Sequence, residues 1–93
     1  MFGILLRTLG ALLAIGGVVA IAITINNRIT AREIARQALK KAKNAIKALV
    51  KAKSTKKVDV GLFNSSNEEV QQMSIESTKG VSDDIYVGQE IYI

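Results

Sequence analysis

Thr8–Ile25 reads TLGALLAIGGVVAIAITI, eighteen residues without a charge, and the chain changes character directly after it. Arg28 to Lys57 holds eleven of the thirteen Lys/Arg and a single acid, Glu33. An uncharged run of about 18 residues or more is long enough to cross a bilayer core as a helix. A Lys/Arg cluster against one end then fixes which side that end occupies. The expectation is a transmembrane anchor over residues 1–27. The C-terminal part would lie on the cytoplasmic or topologically equivalent side. A cleaved signal peptide fits less well, because its apolar core usually spans roughly 7–15 residues and no small-x-small cleavage site precedes Asn26, Asn27 and Arg28.

Gly3, Gly10 and Gly17 recur every seven residues, with Ala14 between the last two. On a helix they form a small-residue stripe of the kind that lets membrane helices approach closely, so packing against another helix or a second copy is expected there.

The net charge of +5 is segregated. Residues 1–27 carry +1, residues 28–57 carry +10 and residues 58–93 carry −6. Such blocks mark contacts with oppositely charged surfaces. Thr30-Ala31-Arg32-Glu33 fits the capping box and predicts a helix starting near Ala31. From there to Val50, apolar positions such as Ile34, Ala38, Ala42, Ala45 and Leu49 gather on one side at 100° per residue. A basic amphipathic helix over 28–57 is therefore expected. Arg28, Arg32, Arg36, Lys40, Lys43, Lys47 and Lys51 are its candidate contacts to lipid phosphate or nucleic acid. Anionic lipid ranks first as partner, packing against other helices second and nucleic acid third.

Beyond Lys57 the pattern turns to short alternating runs. Val58–Leu62, Val70–Glu76, Ile85–Val87 and Ile91–Ile93 read as strands of a small acidic meander, with turns at Asn64–Asn67 and Ser77–Gly80. About thirty-six residues make a marginal sheet alone, so residues 58–93 read as a module that docks on a protein neighbour through Ile85, Val87, Ile91, Tyr92 and Ile93.

Neither Cys nor His is present, which removes thiolate ligands and the commonest general base. Asp83-Asp84 lacks the alternate ligands and terminal Glu of a calcium loop. No catalytic signature, metal or cofactor is expected. The fold class expected is membrane α plus small β: one transmembrane helix, a basic amphipathic helix and a short C-terminal β meander. The expected role is a non-enzymatic, single-pass structural or assembly protein linking a bilayer to a protein layer, as in a lipid-containing virion or a bacterial envelope complex. A holin-like membrane oligomer and a nonspecific nucleic-acid tether are the alternatives.

Overall fold

The computed structural model describes residues 20–93. Their order is β1 (Ala20–Thr24), α1 (Ala31–Lys41), β2 (Lys47–Lys53), β3 (Lys57–Phe63), β4 (Glu69–Glu76) and β5 (Glu90–Tyr92). The strands form one sheet in the order β1-β4-β3-β2-β5. β2, β3 and β4 are an antiparallel meander, β5 pairs antiparallel with β2, and β1 pairs parallel with β4. β1 and β2 therefore run the same way, and α1 connects them across the two positions that β4 and β3 fill.

This overturns the expected membrane-α architecture. The last residues of the uncharged run, AIAIT, are strand β1, with Ile21 opposite Met73 and Ile23 opposite Ile75. Alternating Ala and Ile satisfies hydropathy for a spanning helix and period two for a strand equally well, and β-branched Ile favours the strand once β4 offers a partner. The remainder of the run, and with it Gly3, Gly10, Ala14 and Gly17, lies outside the described residues. Among the described residues no helix is long and apolar enough to cross a membrane. At eleven residues, α1 is about 16 Å long against a bilayer core of about 30 Å. The single-pass placement and the sidedness drawn from it are corrected accordingly.

The expected basic helix is cut to a third of its length. Thr30 is the N-cap, its hydroxyl accepting from the Glu33 amide at 3.1 Å, so the predicted start is correct. The end is not, because α1 stops at Lys41 and Ala42 closes it in an extended conformation, donating to the Ala38 carbonyl. Residues 47–53 then form β2. Ile46, Ala48 and Val50 recur at two while Ile46 and Val50 also fit the helical spacing, and β3 and β5 on either side supply the partners that decide between the two.

One face of the sheet carries the core. Val58, Val60, Leu62, Met73 and Ile75 are buried there beneath Ile34 and Ala38 of α1. Each fully buried Ile or Leu contributes about 1.5–3 kcal/mol. Ile29, Val81 and Ile85 close one end, where Ile29 bridges to Val81 and the Ile29 and Ser82 amides donate to Gly80 and Ile29 carbonyls at 2.9 and 2.8 Å. The expected strand at Ile85–Val87 is instead irregular chain and a turn leading into β5. The Asn64–Asn67 turn is as the sequence predicts: the Asn64 side chain accepts from the Ser66 and Glu68 amides, and Asn67 takes a left-handed φ of 62°.

Candidate functional site

The seven basic residues singled out in the sequence do not share a face. Arg32, Arg36 and Lys40 stand on the outer side of α1, and Lys43 is exposed in the turn after it. Arg28, before the helix, lies 3.7 Å from Asp83. Lys47 and Lys51 belong to β2 and point from the sheet face opposite α1. Each is engaged there by an acid: Lys47 Nζ is 3.5 Å from Glu90, and Lys51 pairs with Glu69.

That far face is knitted by contacts crossing the strands. Register places Lys47 opposite Phe63 on one side and Tyr92 on the other. Its ammonium lies 5.5 Å from the Phe63 ring centre and donates to the Asn67 side chain at 3.2 Å. Glu69 also accepts from the Gln72 side chain at 3.1 Å. These are structural ties on the face turned away from α1, so neither lysine shares a surface with Arg32, Arg36 and Lys40.

On the helix side the charge is one-sided. Residues 31–43 hold five Lys/Arg and one acid, Glu33. The rest of the described chain holds seven bases and seven acids. The Glu33 carboxylate is turned inward: its oxygens accept from Gln37 at 3.1 Å and from Arg36 at 2.8 and 3.1 Å. The Gln37 hydrogen bond, then that of Arg36, hold its pKa below the usual carboxylate value, and burial opposes them.

The five residues expected to dock a partner separate into two groups. Ile85 and Ile91 are buried in the protein's own core, and Ile93 packs half-buried against it. Val87 and Tyr92 are 59% and 69% exposed. Sequence reasoning missed their neighbours Tyr86 and Ile46, 61% and 48% exposed. Ile46 is not on the β5 edge: its amide donates to the Phe63 carbonyl at 2.8 Å and its carbonyl accepts from the Ile93 amide at 2.9 Å, so it lies between β3 and the end of β5. Thus three of the five large exposed hydrophobic residues among those described, Tyr86, Val87 and Tyr92, lie in β5 and its approach, while Ile46 precedes β2 and Leu39 is on α1.

One buried polar atom among the described residues lacks a hydrogen-bond partner, Oδ1 of Asp59. It borders a shallow cleft lined by Ala52, Lys53, Ser54 and Lys57. The Lys53 ammonium is committed to the Ile85 carbonyl at 2.7 Å. No group of three or more acids among the described residues is placed to hold a metal ion. No protein-family model matches the chain, and neither a curated protein nor a solved structure was found to be significantly similar to it.

Proposed function

We propose that this chain is a non-enzymatic assembly domain that holds an extended segment of a partner protein along the edge of β5. The observation that carries this reading is the exposure of Tyr86, Val87 and Tyr92 along the edge strand β5 and the turn that leads into it. Single exposed apolar residues need no explanation, but a group of them marks a contact surface.

The backbone of the edge suits the role. The Ile93 amide bonds to Ile46 and the Val50 amide to Gln89. By the alternation of an antiparallel ladder, Ile91 turns its polar backbone groups toward β2 while Glu90 and Tyr92 turn theirs away. An added strand would take those groups, with Tyr92 and Val87 supplying amphipathic contact area. Residues 80–93 contain three acids and no base, so the favoured segment is apolar with basic flanks.

Site-specific photo-crosslinking of the full chain in its native setting tests the reading. A crosslinker at Tyr92 or Val87 is expected to give a defined protein adduct, and one at Thr24 or Lys57 to give none. Adducts equally frequent at all four positions, or absent at the first two, would overturn it.

A further inference from the structure

We infer that the outer face of α1 binds the phosphodiester backbone of double-stranded nucleic acid, independently of base sequence. This goes beyond the docking edge, which uses other residues.

Arg32, Arg36 and Lys40 are spaced four apart, so they form one row along the helix about 6 Å between neighbours and lie within about 80° of one another. Lys43 follows in the turn after the helix, and all four are exposed. The Glu33 carboxylate is largely withdrawn from solvent and engages Arg36 through Nη2, while the Arg36 side chain stays half exposed toward a polyanion. Elsewhere in the described chain bases and acids are equal in number. The excess positive charge of residues 20–93 is therefore concentrated on this layer. Two of its four cations are Arg, whose planar fork matches phosphate oxygens. Nonspecific nucleic-acid affinity comes almost wholly from such cations, through release of condensed counterions.

Anionic lipid, which the sequence places first, is disfavoured by the packing. An interface-lying helix must sink an apolar face into the headgroup boundary. The apolar face of α1 is already used: Ile34 and Ala38 are fully buried against the sheet. What α1 turns outward offers one large apolar side chain, Leu39, and no aromatic ring. The missing rings also argue against stacking on unpaired bases and for contact with a duplex backbone.

The test is fluorescence anisotropy of a labelled random-sequence DNA duplex titrated with the full-length protein over a series of salt concentrations. Four phosphate contacts predict a slope of log affinity against log salt of about −3.5. Arg32→Gln with Lys40→Gln, at exposed positions, should bring the slope to about −2 and weaken binding roughly sixty-fold at 0.1 M salt. Lys57→Gln with Lys79→Gln removes the same net charge from the sheet side and should leave binding within about twofold. Circular dichroism of each variant should match the parent. Equal weakening by both pairs would show that only net charge matters and would overturn the inference. So would a salt slope near zero. Displacement of the duplex by phosphatidylserine vesicles at equal accessible phosphate would assign the face to a membrane surface and overturn it too.

Discussion

Lys51 and Glu69 form an ion pair from β2 to β4, across the intervening strand, over the α-carbon of Gly61. Strands two apart in a sheet are about 10 Å from one another, a span two long side chains can bridge only where nothing rises between them. A β-carbon at Gly61 would lie 2.3 Å from Oε2 of Glu69 and 2.8 Å from Cε of Lys51. The glycine is thus required by the pair above it. The pair holds three strands together on the face that α1 does not cover.

Gly61→Ala is expected to separate the pair while leaving the backbone in place, since the atoms it meets are the ends of flexible side chains. A partly exposed pair contributes about 0.2–1 kcal/mol, and alanine recovers about 0.5–1 kcal/mol over glycine in a strand. The net change in stability should be small. The sharper readout is a double-mutant cycle of Lys51→Met and Glu69→Gln by urea denaturation. Its coupling energy should vanish in the Gly61→Ala background, and undiminished coupling would refute the bridging geometry.

Thr30→Ala should destabilise the domain by about 1 kcal/mol, because the hydroxyl that satisfies the Glu33 amide is lost. In a domain of this size that lowers the melting temperature by about 4–8 °C. Thr30→Ser should restore most of it. An alanine variant melting with the parent would show that the cap contributes nothing.

The parts of the fold legible in the sequence are those set by local chemistry. The Thr30 cap, the Asn64–Asn67 turn and the strands near 58–62 and 70–76 each depend on side chains within a few residues. The errors arose where two periodicities coincide. Ala20–Thr24 is apolar throughout and also alternates. Residues 46–50 fit a helical stripe and a strand equally, with neither glycine nor proline to end the helix. The choice is made by β4, which accepts β1, and by β5, which returns from forty residues later to flank β2. Such distant partners leave no mark on a local window. The basic surface suffered the same way: Lys47 and Lys51 shared a helical stripe with Arg36 in the sequence, and the strand carries them to the other side of the sheet. Gly61 showed no signal, because the pair it admits joins residues on two other strands.

Acid should weaken the domain partly through Glu33. Its folded pKa is depressed, chiefly by the Gln37 and Arg36 hydrogen bonds. The charged carboxylate therefore stabilises the fold above the unfolded-state value of about 4.3, and that contribution is lost as the pH falls through the lower folded value. Urea midpoints measured from pH 6 down to pH 2.5 should fall less steeply for Glu33→Gln than for the parent. Parallel curves would mean that Glu33 is not linked to stability.

Ile85 and Val87 are two residues apart and should respond oppositely to truncation. Ile85 is buried in the core, so Ile85→Ala is expected to cost about 2–5 kcal/mol. Val87 is exposed, and Val87→Ala should stay within about 0.5 kcal/mol. Urea denaturation distinguishes them directly. Comparable losses at both positions would place Val87 in the core and remove it from the proposed docking edge.

The placement of residues 24–30 in the sheet's end, rather than at the end of a long helix, rests on a set of bonds that hydrogen exchange can read. The Ile25 amide donates to the Glu76 carbonyl and the Ile29 amide to Gly80, each at 2.9 Å. Ser77, fully buried, donates its hydroxyl to the Asn27 carbonyl at 2.7 Å and accepts from the Lys79 amide at 3.2 Å. In the full chain, Ile25 and Ile29 should exchange slowly while the amides of Asn26 and Asn27, in the exposed bend between them, exchange fast. A continuous helix would protect all four alike. Ser77→Ala removes one donor and one acceptor from this junction, worth about 1 kcal/mol. Exchange at Ile29 and Lys79 should then quicken about fivefold relative to Leu62 in the central strand, since a loosened junction opens locally before the sheet does. Uniform protection from Ile25 to Ile29, unchanged by Ser77→Ala, would return these residues to a helix and remove β1 from the sheet.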